Sequence, residues 1–230
     1  MRIIFVRHGH PNYEDDCLTP LGHKHAAAAA ERLKNEGISE FYSSTCGRAY
    51  QTAEYVAEKY HLPIVKCDFM REISWGSVDG EPIFMNGHPW SIVDDMVSKG
   101  ESVLNENWAE EERFCRNSLV GCVNNIAVKM DEWLKELGYT REGLYYRVSE
   151  TVNTDKTIAA FGHGGAGASI FSHLFNLPYP FVVSTFSQNY TGITIVELSN
   201  EPGALVKPRL AMLNDAKHIE NLQIENVFDK

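Results

Sequence analysis

Two short apolar runs constrain this chain more than any other feature, because each ends on a histidine beside glycine. Ile3-Ile4-Phe5-Val6 is apolar without alternation and runs straight into Arg7-His8-Gly9. Thr157-Ile158-Ala159-Ala160-Phe161 does the same and runs into Gly162-His163-Gly164-Gly165. Apolar runs of four or five residues without a period of two are the pattern of strands buried on both faces of a parallel sheet. Both histidines then stand at strand C-terminal ends, the rim on which open α/β sheets assemble their sites.

The rest of the chain supplies matching strands and helices. Thr19-Pro20 reads as a helix cap followed by the first helical residue, and residues 21–34 read as a helix closed by Gly37, with alanine at 26–30. A strand over 39–42 leads through Ser43-Ser44-Thr45 to a helix over 48–60, and 64–67 reads as a third strand. The segment 69–80 is rich in turns and contains Arg71-Glu72-Ile73-Ser74-Trp75-Gly76. From 81 to 118 the pattern weakens, whereas 119–137 is an amphipathic helix stopped at Gly138. Late strands are expected over 192–198 and 205–213. The expected fold is α/β, a three-layer sandwich with a mainly parallel central sheet and helices on both faces. At 230 residues it is read as one domain over 1–230 with an inserted helical lid at 81–118.

Four segments carry a resemblance. Arg7-His8-Gly9, Leu18-Thr19-Pro20-Leu21-Gly22, Ser43-Ser44 with Arg48-Ala49-Tyr50-Gln51-Thr52-Ala53, and His163-Gly164 resemble, in order and spacing, the histidine phosphatase or phosphoglycerate mutase-like superfamily. The likeness covers residues 1–80 and 157–213 and leaves the middle third without landmarks. It implies that His8 attacks phosphorus to form a phosphohistidine, while Arg7, Arg48 and His163, with Gly164, bind the phosphoryl oxygens. Glu72 occupies the position where many relatives carry their acid, with Asp79 and Glu81 as rival proton donors. Asn12 and Trp75 are candidate substrate-pocket residues, and Trp90 and Trp108 are further apolar candidates. The chain departs from the family pattern at Thr45-Cys46-Gly47, before the arginine, and at His10-Pro11.

Elementary chemistry agrees with these roles. Phosphoryl transfer is catalysed chiefly by in-line positioning and by charge set against the equatorial oxygens, and guanidinium groups supply fixed donors at any physiological pH. An imidazole with a pKa near ~6.5 keeps a neutral nitrogen available as nucleophile at neutral pH, its other nitrogen donating to a carbonyl.

Other readings are weaker. A net charge of −10 disfavours nucleic acid or anionic membrane as partner. Five cysteines, without a CxxC pair, suit a reducing compartment. The N-terminal apolar run is too short for a signal peptide and no stretch approaches the ~20 apolar residues of a span, so the cytoplasm is expected. His8-x-His10 and His23-x-His25 lack residues to complete a metal shell, and neither metal nor cofactor is expected. His25 reads as solvated or as backing the site from behind. Gly162-x-Gly164-x-x-Gly167 fits a dinucleotide fingerprint but has no acid ~20 residues on. No cysteine precedes an arginine at C-x5-R spacing. The partner is thus a small phosphorylated substrate. Between Glu81 and Ser118 eight acidic residues face three basic ones, and Ile73-Ser74-Trp75 replaces the Arg-x-Tyr of glycolytic mutases. Both features favour a hydrolase over a mutase, and the intact Arg7, His8, Arg48 and His163 disfavour a non-catalytic phospho-ligand binder. Residues 139–156 read as an extra hairpin or as a homodimer contact.

Overall fold

The computed structural model describes residues 1–222. It opens with β1 (Arg2–Arg7), whose burial explains the missing alternation: Ile3 and Phe5 enter one core, and Ile4 and Val6 enter the other. A small hairpin, β2 (Pro11–Asn12) with β3 (Cys17–Leu18), leads to α1 (Pro20–Leu33). Thr19 caps α1 by accepting the Gly22 N–H, and Pro20 fills a first-turn position that needs no donor. Next come β4 (Ile38–Ser43), α2 (Gly47–Tyr60) and β5 (Ile64–Lys66). Ala26, Ala29 and Ala30 of α1 and Ala49, Ala53 and Ala57 of α2 are buried, and their small side chains let the two helices pack closely.

After β5 the chain runs through turns and short 3-10 pieces around α3 (Pro89–Ser98) before α4 (Ser118–Glu136). There follow β6 (Tyr139–Glu142), β7 (Tyr145–Val148), β8 (Thr157–Gly162), α5 (Gly164–Phe175) and α6 (Tyr179–Thr185). The last strands are β9 (Ile193–Glu197), β10 (Leu205–Val206) and β11 (Arg209–Asp215).

The main sheet has the order β11-β9-β1-β8-β4-β5. The four strands β1, β8, β4 and β5 are mutually parallel, while β9 and β11 close one side in antiparallel pairs. Residues of α1 and α2 cover one face over Ile4, Val6, Ala159 and Phe161, and residues of α3 to α6 cover the other over Ile3, Phe5, Ile158 and Ala160. This is the expected three-layer sandwich. No described helix is long and apolar enough to cross a membrane.

The segment of weak pattern does contain a helix. α3 has ten residues and is capped by a histidine, His88, whose Nδ1 accepts from the Ser91 N–H, so the usual capping signal is missing. The expected strand over 205–213 is two strands: β10 joins β7 and β6 in a separate sheet, and Lys207-Pro208 separates it from β11 in the main one. Of the two readings for 139–156, the hairpin is present as β6 and β7.

Candidate active site

The strand register alone brings the two motifs together. β1 and β8 are parallel neighbours with Arg7 opposite Gly162, so His8 and His163 each follow a paired strand end. Their ring centroids lie 5.1 Å apart at 58°, and the residues are only 1% and 2% exposed. His8 Nδ1 lies 2.7 Å from the Gly9 carbonyl, which only accepts, so the proton sits on Nδ1 and the Nε2 lone pair is free. Burial, reinforced by Arg7, His163 and Arg48, drives the His8 pKa well below the ordinary value, which keeps the ring neutral. His163 is lowered in the same way by burial and then by Arg48, Arg7 and Arg71.

Two buried or half-buried arginines complete the group. Arg7 Nη1 donates to the Gln188 carbonyl at 2.6 Å. Arg48 forms an ion pair through Nη1 with Asp16, whose other oxygen accepts the Gly47 N–H at 2.7 Å. Each arginine retains a buried Nε without a partner, and His163 retains a buried, unpartnered Nδ1. Ser44 Oγ, which accepts from the Cys46 N–H at 3.2 Å, lies 2.9 Å from His163 Nε2, and when its hydroxyl donates to Nε2 the ring hydrogen stands on Nδ1. Buried polar groups are normally paired, so three orphan nitrogens beside one neutral imidazole form an arrangement that can take up a tetrahedral anion.

Close backbone packing holds this arrangement. A Cβ on Gly22 would lie 2.1 Å from the His10 carbonyl oxygen, and one on Gly9 would lie 2.7 Å from that of Gly22, so the loop after His8 is clamped onto the start of α1. Thr52 ties the first motif to the third: its Oγ1 accepts from the Gly9 N–H at 3.0 Å and donates to the Arg48 carbonyl at 2.8 Å. Glu72 Oε1 accepts from the Ile73 N–H at 3.0 Å and from the Ala166 N–H, in the first turn of α5, at 2.9 Å. Gly165 makes room for it, since a Cβ there would meet Ile73 at 2.5 Å and Glu72 Oε1 at 2.8 Å. Both hydrogen bonds fall on Oε1, which leaves Oε2 for a proton. Gly164 opens α5, with the Arg7 guanidinium 3.7 Å from where its Cβ would stand.

The remaining candidates divide. Asp79 is held at about 2 by hydrogen bonds from Ser77 and Arg116, which leaves it ionised and unsuited to give a proton near neutrality. The exposed Glu81 neighbours it, and its N–H bonds to Asp79. The Asn12 amide is engaged in its own turn, accepting from the Glu14 N–H and donating to Asp15. Trp75, 39% exposed, stacks edge-on with His88 and Trp90 at 5.1 and 5.9 Å. Trp108 is a core residue, packed on Phe114 and Tyr179, and cannot line a pocket mouth. His25 is fully buried, with its ring 6.2 Å from Tyr190, which corrects the solvated reading. Among the described residues no group of three or more His, Cys, Asp or Glu side chains is placed to hold a metal.

Sequence reasoning passed over Asp16, Thr52, Arg71, Gln188 and Tyr190. Thr52 lies inside a quoted motif, and Arg71 directly precedes Glu72, donating to Thr45 Oγ1 at 3.1 Å. Asp16, Gln188 and Tyr190 lie in loops, and only the fold brings them near the arginines.

Comparison with known proteins gives a family model, a sequence relative and solved structures of the same fold. Residues 3–94 match the model of the histidine phosphatase superfamily (branch 1). The probable phosphoglycerate mutase GpmB of Yersinia pestis (strain Pestoides F) is 25% identical over 187 residues, 77% of this chain and 76% of that one. Phosphoserine phosphatase from Entamoeba histolytica, solved with 3-phosphoglyceric acid, shares the fold with a TM-score of 0.62 at 19% identity, over 95% of this chain and 98% of that one. Native mycobacterial glucosyl-3-phosphoglycerate phosphatase does so with a TM-score of 0.62 at 21% identity, over 93% and 98%.

Proposed function

We propose that the chain is an enzyme of the histidine phosphatase superfamily, whose model matches residues 3–94, and that it hydrolyses a small phosphomonoester through a phosphohistidine formed on His8. The observation that carries this reading is the set of three buried, unpartnered nitrogens, Arg7 Nε, Arg48 Nε and His163 Nδ1, around a neutral His8. In the first step His8 Nε2 attacks phosphorus in line while those donors take up charge on the equatorial oxygens. The P–O bond to the alcohol breaks, and Glu72 delivers the proton that the leaving oxygen needs. In the second step Glu72 takes a proton from water, the resulting hydroxide attacks phosphorus, and the P–N bond breaks to release phosphate and neutral His8.

Phosphatase and mutase begin from the same intermediate, and the insertion favours hydrolysis. A second phosphate needs free cations, yet Lys99 is paired with Asp95, Arg113 with Glu101, and Arg116 with Asp79. Five unbridged cysteines suit the cytoplasm as the place of action. Incubation with a monophosphoglycerate and its bisphosphate primer tests the choice: free phosphate should accumulate, and efficient isomerisation with little free phosphate would overturn it. Hydrolysis of p-nitrophenyl phosphate in the presence of a chelator, lost in His8→Ala, separates an enzyme from a phospho-ligand binder.

A further inference from the structure

The pleat of β1 sets its last residue a problem. Successive side chains of a strand leave opposite faces, and Arg7 falls in step with Ile3 and Phe5. Its charge nevertheless acts on both His8 and His163, so the guanidinium has to be turned toward the site and kept there. Both contacts that do this come from the segment between α6 and β9. The Gln188 carbonyl takes Nη1, and the Tyr190 ring lies beneath the guanidinium carbon at 4.5 Å.

The same ring also meets the nucleophile. Tyr190 is 9% exposed, and its centroid lies 5.8 Å from that of His8 at 40° and 5.3 Å from that of His10. The segment that carries it is fastened at several points. The Arg7 N–H donates to the Gly192 carbonyl at 3.3 Å, the Thr191 N–H donates to the His8 carbonyl at 3.2 Å, and Gln188 Nε2 donates to the Gly164 carbonyl at 2.8 Å. Thr191 Oγ1 meets His218 Nε2 at 3.0 Å. Thr191 itself has φ 51°, a left-handed conformation that a β-branched residue adopts only when its neighbours impose it.

We infer that Tyr190 is a positioning residue for phosphoryl transfer: its π-face fixes the plane of the Arg7 guanidinium so that Nε points at the anion, and its ring backs the imidazole of His8. A cation over an aromatic face is attracted by the ring quadrupole, and desolvation strengthens the attraction. With Nη1 taken by Gln188 and one face taken by Tyr190, the guanidinium has little freedom left except toward the orphaned Nε edge.

The inference rests on the reading of the site given above, and the test separates the two. Tyr190 is replaced by Phe, by Leu, and by pentafluorophenylalanine, which keeps nearly the same size but inverts the quadrupole. With p-nitrophenyl phosphate, Phe should retain at least about a third of kcat/KM, whereas Leu and the fluorinated ring should lose roughly tenfold to a hundredfold. In an Arg7→Ala background the Tyr190→Leu loss should shrink to less than about threefold, because coupled residues are not additive. Equal Tyr190→Leu losses in both backgrounds, or a fluorinated ring as good as Phe, would show that the ring only fills space. An inactive wild-type protein would instead sink the phosphatase reading. Inorganic phosphate affinity across the same variants would still decide the Tyr190–Arg7 coupling, which requires the same order of loss.

Discussion

The rim at the strand ends and the insertion between residues 77 and 117 are held in opposite ways. At the rim, backbones approach so closely that Gly9, Gly22 and Gly165 admit no side chain, and the imidazoles and Arg48 are buried. The insertion has one ten-residue helix, two non-glycine residues with left-handed φ, Met85 and Asn86, and exposed Val78, Phe84, Met85 and Leu104. Its buried fastening is Asn117, whose Oδ1 accepts from the Gly76 and Leu119 N–H groups and whose Nδ2 donates to the Gly87 carbonyl. Its ion pairs are largely at the surface, where water and salt screen them. The difference teaches that the histidines and arginines are fixed by the sheet, while the insertion is fastened at few points and can change without disturbing them; on the proposed reading, the choice of substrate falls to it.

Substitutions can break or sharpen that division. The largest effect is expected at His8→Ala, which should cost at least ~10³ in kcat and abolish the acid-labile phosphoenzyme. Retention of a tenth of the activity would place the chemistry elsewhere. Glu72→Gln should cost about 10²-fold on an alkyl phosphate and far less on p-nitrophenyl phosphate, whose leaving group needs no proton. Equal losses on both would make Glu72 a fastening for α5 rather than a proton carrier. Asn117→Ala should destabilise by roughly 1–3 kcal/mol in chemical denaturation, because its buried bonds are lost. It should also raise KM more than it lowers kcat; a kcat effect alone would tie the insertion to the chemistry.

The rim should also announce itself in stability. His8 and His163 have folded pKa values below the unfolded value of about 6.5. Above that pH both states are neutral and nothing is lost. As pH falls through it, the unfolded chain gains protons that the native site refuses, so stability declines until the folded-state values are reached. Thermal unfolding between pH 7 and 5 should therefore show a falling midpoint, less steep in His163→Asn; parallel slopes would contradict the burial argument. The smallest effect is expected at Trp75→Ala, whose ring packs against His88 and Trp90 of the insertion: less than about tenfold in KM on a small substrate, and a large drop in kcat would group Trp75 with the rim.

How much was legible in the sequence follows the same line. Strand ends and the residues gathered at them could be read because burial on both faces writes an unbroken apolar run, and because Arg7-His8-Gly9 and His163-Gly164 are contiguous. Asp16 and Tyr190 could not be read, since their contacts with Arg48 and Arg7 cross 32 and 183 positions. α3 was hidden by its histidine cap, and Trp108 was misread because an aromatic in a weakly patterned stretch gives no sign of facing Phe114 and Tyr179.

The place of β8 has a consequence for how this chain is made. It lies between β1 and β4, although both precede it by more than a hundred residues. A nascent chain therefore holds His8 and Arg48 well before His163, and β8 has to take its place between two strands that left the ribosome earlier. Such distant pairing is slow to close. On the proposed reading a copy that lacks β8 would be inactive, because His163 and the shared neighbour of β1 and β4 both come with that strand.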